Sequence, residues 1–261
     1  MLNDVFTVEE ADAFLKRVKT GNVGTRKALL TYYREAGRIL PIRRGLYAVV
    51  PIGADTESFV PDPIQVAAKA TPDAILSWHT ALDFHARSYS LWNTYHYATA
   101  RPSLSIQFSG CQVNGVVLPS FYWTRSAVVL GVETHLRNHT TIRVASLERT
   151  LVDLLDRPSL GGSWEEIWRS LDSVEFFDLT IIRKYLRVVS NSTTTARVGF
   201  YLEQNQQRLM LDDRFLKQLE KDTPLSPVYW DRNKRNGGRL IHRWNLIVPS
   251  FILNKEWEAV L

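Results

Sequence analysis

The side chains in this 261-residue chain that could do chemistry are scattered, with one exception. Six histidines and one cysteine, Cys111, are its soft ligands. His79 and His85 stand six residues apart, which is off the spacing that puts two ligands on one helical face. His135 and His139 are four apart, but in a stretch that reads as strand and turn, where that spacing converges on nothing. Glu148, Asp153 and Asp156 share one expected helix and could bind a metal or act as acid and base. Arg149, four residues before Asp153, makes a helical ion pair the simpler role. Gly161-Gly162-Ser163 has the glycine–serine start of a nucleotidyltransferase, yet no Asp-x-Asp pair follows to hold two metal ions. A helix entry capped by serine explains those residues better. No GxSxG, P-loop or GxGxxG occurs, so no catalytic residue, cofactor or metal is expected.

The exception is cationic. Between Lys16 and Arg44 stand nine Lys/Arg and a single acid, Glu35, a net of +8. The whole chain carries +5, so everything outside this stretch sums to −3. Charge this local fits a phosphate-binding footprint, whereas a generally basic protein spreads it.

The elements that must position these cations follow from pattern. Thr7 and Glu10 form a capping box for a first helix, whose Val8, Ala11, Phe14, Leu15 and Val18 recur on one face. A second helix is expected from Thr25 to Ala36, with Leu29, Tyr32, Tyr33 and Ala36 as its apolar stripe. Lys27, Thr31 and Arg34 take the opposite face, with Arg26 beside them, and Gly37 ends the helix. A β-ribbon follows, with Ile39, Leu40, Leu46, Tyr47, Val49 and Val50 as strand residues and the tip at Pro41–Gly45. A helix with a cationic outer face before a cationic hairpin predicts a winged helix-turn-helix over residues 1–51. Its expected DNA contacts are Thr25, Arg26, Lys27, Thr31, Arg34, Arg38, Arg43 and Arg44.

A polar linker is expected over 52–61 and a larger mixed α/β domain over 62–261, giving an α+β fold. There Asp62 caps a helix with Pro63 at its first position, and AILSWHTALDFHA reads as a second helix. From Tyr95 to Val144 short strands, SFYW among them, predict a mixed antiparallel sheet. Helices return behind Ser146, behind a Ser163/Glu166 capping box, from Leu179 and from Thr195. Near the end, Arg232, Lys234, Arg235 and Arg239, with Arg243 beyond, surround Asn236-Gly237-Gly238 and form a candidate anion or nucleic-acid loop. A solvated hairpin loop is the plainer alternative. With one cysteine, no signal sequence and no long apolar run, the chain is expected in the cytoplasm, away from membranes.

Several segments together resemble a known family. AGRILPIRRGLYAVVP, DPIQVAAKATPDAILSWHTALDFHA, VASLERTLVDLLDRPSLGG and VGFYLEQ are similar to the AbiEi antitoxins of abortive-infection toxin–antitoxin pairs, from about Phe6 to RLIHRWNLIVP. The resemblance implies an N-terminal winged-helix domain that represses its own promoter at inverted repeats in double-stranded DNA. It implies a C-terminal antitoxin domain that counters a nucleotidyltransferase-like toxin without a stable complex, and a monomer in solution. Its DNA contacts would fall on the Thr25–Arg34 helix and the Arg43-Arg44 wing. Two readings from other classes stand beside it: a DNA-targeted nucleic-acid-processing enzyme, and a transcription factor whose second domain senses a ligand.

Overall fold

The computed structural model describes residues 4–18, 23–231 and 237–258. It divides into two compact units. The first takes in Met1–Leu76, Trp92–Leu118 and Glu133–Val144; the second takes in Ser77–Leu91, Pro119–Val132 and Ala145–Leu261. Residues 52–61, expected as a linker, lie inside the first unit, which joins the N-terminal elements to a six-stranded sheet.

In the first unit, strand β1 (Val5–Thr7) leads straight into helix α1 (Val8–Arg17). The capping box is made: the Thr7 hydroxyl accepts from the Glu10 amide at 3.3 Å, and the Glu10 carboxylate accepts from the Thr7 amide at 2.9 Å. Helix α2 (Val23–Glu35) precedes strands β2 (Ile39–Arg43) and β3 (Leu46–Val49). β1 joins the far edge of this ribbon, in the order β1-β3-β2, an element the residue pattern did not reveal because it is only three residues long. Phe6, Ala11 and Ile39 form the small core, with Leu30, Tyr47 and Val49 packed on it. The expected stripe on α2 is displaced. Leu30 packs inward, while Tyr32 and Tyr33 are 64% and 45% exposed and stack edge to face on each other.

Asp62 caps helix α3 (Pro63–Ala68) as expected, accepting from the Ile64 amide. The large sheet comprises β4 (Ile75–Leu76), β5 (Thr94–Thr99), β6 (Ile106–Phe108), β7 (Cys111–Val117), β8 (Val132–Arg137) and β9 (Thr140–Ala145), in the order β6-β7-β5-β4-β9-β8. It is mixed: β5 runs parallel to β7 and β4 parallel to β9, while β6–β7 and β4–β5 are antiparallel. The reason lies at Ser109 and Gly110, whose positive φ angles of 44° and 76° form a tight two-residue turn. β6 is thereby placed at the edge, and β7 returns beside β5 in the same direction. Ile75-Leu76, expected in a helix, are instead a central strand at 1% and 0% exposure. An apolar run buried on both faces carries no period to tell strand from helix. SFYW is a 3-10 turn (Ser120–Trp123) rather than a strand.

The second unit is mainly helical: α4 (His79–Phe84), α5 (Leu147–Asp156), α6 (Trp164–Asp172), α7 (Leu179–Val189), α8 (Ser192–Gln204), α9 (Asp213–Glu220) and α10 (Ser250–Leu253). A small sheet of β10 (Val228–Tyr229), β11 (Arg239–Ile241) and β12 (Leu246–Val248) completes it. Its core is aromatic: Trp168 and Trp230 lie 5.7 Å apart, and Tyr201 packs 5.4 Å from Trp168. The Ser163/Glu166 box is only half made. Ser163 accepts from the Glu166 amide, but the Glu166 carboxylate turns inward to His79 at 3.0 Å and the Ser90 hydroxyl at 2.6 Å. A buried donor outcompetes the cap amide, which water or neighbours can satisfy. Burial pushes the His79 pKa down, against the pull of the Glu166 carboxylate.

Candidate nucleic-acid interface

Helix α2 runs without proline and with its one glycine, Gly24, at its entry. It closes on Gly37, whose φ of +65° is a conformation that side-chain-bearing residues rarely adopt. The Gly37 amide donates to the Arg34 carbonyl and the Arg38 amide to that of Tyr33, a Schellman closure. The chain thus turns abruptly from helix to ribbon. At the tip Arg43 pairs with Leu46, leaving Arg44 and Gly45 (φ +84°) as the turn, narrower than the Pro41–Gly45 expected.

On this frame Lys27, Thr31 and Arg34, at i, i+4 and i+7, are exposed. Their side chains take no partner among the described residues, so three polar groups share one hydrated face. Arg26 differs from the expectation. It is half-buried and turned inward onto Asp12 of α1, because its position on the wheel falls beside Leu29 and Leu30. Thr25 is also half-buried. Arg38 is exposed along a groove of about 560 Å³ that Phe14, Leu29, Tyr33 and Ile52 also line. Arg44 is exposed and unpartnered among the described residues, whereas the Arg43 guanidinium donates to the Ala70 carbonyl.

Behind the ribbon tip the first unit holds a cleft of about 590 Å³. Arg43, Arg44, Lys69 and Arg143 line it, with Glu9 and Glu10. Lys69 pairs with Glu10, and Arg143 donates to the Pro72 carbonyl at 3.0 Å. The sequence reading passed over Lys69 and Arg143. Strand alternation could have flagged Arg143, which stands between the buried Ile142 and Val144 on β9 and must face the other way.

No family model matches the chain, and no curated protein does. Solved structures similar in fold include a crystal structure. It is that of the RV2827C protein from Mycobacterium tuberculosis, with a TM-score of 0.60 over 98% of this chain and 89% of that one. At 12% identity the likeness concerns the fold alone.

Arg232, Lys234 and Arg235 lie outside the described residues. Arg239 is exposed at the start of β11. Arg243 is enclosed by carboxylates: Glu203 at 2.9 Å, Asp213 at 2.8 Å and Glu220 at 3.3 Å. Its hydrogen bond holds the Asp213 carboxyl below the usual range. Three acids around one guanidinium leave nothing for an external anion.

The three carboxylates weighed for catalysis have structural partners. Glu148 accepts from the Asp178 amide at 3.0 Å. Asp156 accepts from Asn191 and Thr194. Asp153 accepts from the Tyr185 hydroxyl at 2.7 Å and lies 3.5 Å from Arg149, the ion pair that the i,i+4 spacing predicts. No helix among the described residues is long and apolar enough to cross a membrane.

Proposed function

We propose that this chain is a DNA-binding transcriptional regulator of the AbiEi antitoxin kind, with residues 5–49 acting as a winged helix-turn-helix. One observation carries the reading. Lys27, Thr31 and Arg34 form an exposed row on α2 with no side-chain partner among the described residues, and Arg43 and Arg44 at the ribbon tip follow one Schellman closure later. Lysine and arginine can donate to the guanine edge and a threonine methyl can meet thymine, so the α2 row suits the major groove. The ribbon arginines suit phosphates, which supply affinity and salt dependence rather than base choice. The antitoxin half rests on the sequence resemblance: the second unit would oppose a nucleotidyltransferase-like toxin encoded alongside.

Fluorescence anisotropy with a duplex from the chain's own promoter tests the regulatory half. Lys27→Ala and Arg34→Ala should each cost about 1–3 kcal/mol on that duplex and much less on random DNA. Arg43→Ala with Arg44→Ala should flatten the slope of log K against log salt by roughly one to two units. Equal losses on both duplexes would reduce α2 to a backbone contact. An unchanged slope would remove the ribbon from the interface.

A further inference from the structure

We propose that the cleft behind the Arg44–Gly45 turn binds a compact polyphosphate, a diphosphate group either free or carried on a nucleoside. The inference goes beyond the DNA reading and does not depend on it. A cavity of about 590 Å³ falls within the roughly 300–1,000 Å³ typical of small-molecule sites. Its walls come from four places in the first unit: the ribbon turn, the start of α1, the segment after α3, and β9.

Four cations and two carboxylates line it. Lys69 and Glu10 cancel as an ion pair, which leaves Arg43, Arg44 and Arg143 against Glu9. Arg43 and Arg143 are anchored, but on neutral carbonyls, those of Ala70 and Pro72. A carbonyl orients a guanidinium without discharging it. One such bond also leaves most of the five N–H donors of each guanidinium for another acceptor. Arginines held in this way are preorganised for paired hydrogen bonds to phosphate oxygens. The half-buried Arg143 stands on β9 among the residues that line the cleft, a setting that suits a compact anion better than the phosphodiester ridge of a duplex.

Three guanidinium groups from two walls, the ribbon turn and β9, match a ligand with at least two phosphate groups better than a single phosphate. Because Arg43 and Arg44 belong both to the cleft and to the proposed DNA contact, occupancy of one should weaken the other, and reciprocally.

Calorimetric titration of the full chain at low salt with pyrophosphate, ADP and adenosine tests the site without DNA. Saturable one-to-one binding of pyrophosphate or ADP is expected, with none for adenosine. Arg143→Gln and Arg44→Gln should each weaken it at least about tenfold, as loss of a charge-assisted hydrogen bond does. Tighter binding of ADP than of pyrophosphate supports a nucleotide ligand, and equal binding supports the diphosphate alone. Absence of saturable binding, or wild-type affinity in both variants, overturns the proposal. Arg44 has no partner among the described residues, so its variant stays informative even if Arg143→Gln disturbs the contact to Pro72. Pyrophosphate binding by a chain that ignores promoter DNA would retain this inference and discard the DNA reading.

Discussion

Some arginines in the two units of this chain live under opposite conditions. In the first unit Arg34, Arg38 and Arg44 stand in water. In the second, Arg149 is 1% exposed and Arg197 9%. Arg149 lies 4.8 Å over the Tyr185 ring, faces Asp153 and donates to the Leu130 carbonyl. Arg197 donates to the carbonyls of Leu155 and Trp230. A buried cation loses its hydration, at a cost of several kcal/mol, and is tolerated only where carboxylates, carbonyls and ring faces replace water. An exposed cation keeps its hydration and its counterions, and those counterions are what phosphate binding releases. Arginine content therefore says little about nucleic-acid binding until each side chain has been assigned a partner.

The sharpest way to break this contrast is to delete one arginine of each kind. Arg149→Met should destabilise the protein by about 3–5 kcal/mol, because it leaves Asp153 and the Leu130 carbonyl buried without their cationic partner. Arg34→Ala and Arg44→Ala should stay within about 0.5 kcal/mol of wild type. Denaturant midpoints for the three variants would decide it; similar midpoints would erase the distinction.

Gly199 offers a second probe of how tightly the second unit is packed. A Cβ there would overlap the Trp244 indole, and that indole donates to Glu203 at 2.7 Å. Gly199→Ala should therefore cost about 1–3 kcal/mol, even though alanine is the better helix former. A raised melting temperature would show that Trp244 moves aside freely. The first unit provides a milder counterpart at the α1 cap, where Thr7→Ala should cost about 1 kcal/mol through the part-buried capping box alone. Thermal unfolding would show a loss well above that if the cap also held the ribbon in place.

pH sharpens the same comparison. Burial pushes Asp153 up to about 6 from an ordinary 3.8, against the pull of Arg149 and Tyr185. Between those values the folded protein holds a proton that the unfolded chain releases. This group's stabilisation is therefore complete below pH 3.8 and is lost as pH rises through about 6. Asp153→Asn should remove that component, making stability fall less steeply across the window in melting curves taken from pH 4 to 7. An identical slope in wild type and variant would mean that Asp153 keeps its ordinary pKa.

Signals that act within one turn of chain were legible in the residues. Thr7 and Glu10, Asp62 and Pro63, Gly37, and Ser146 all cap or close their helices where local hydrogen-bond geometry requires. The exposed row of Lys27, Thr31 and Arg34 was readable for the same reason, since helical periodicity alone puts them on one side. What depends on distant partners was not readable. Whether Ile75-Leu76 are helix or strand was decided by β5 and β9, which pair on either side of them. The inward turn of Arg26 was decided by Asp12, and the direction of Glu166 by His79 and Ser90. The cleft that joins Arg43 and Arg44 to Arg143 spans 99 residues of sequence from Arg44 to Arg143, a distance over which no periodicity carries. The sequence by itself determined where the capped helices begin and where charge concentrates. Only the tertiary structure decided which of those charges are neutralised, because ion pairing and desolvation depend on neighbours that the chain brings together from far away.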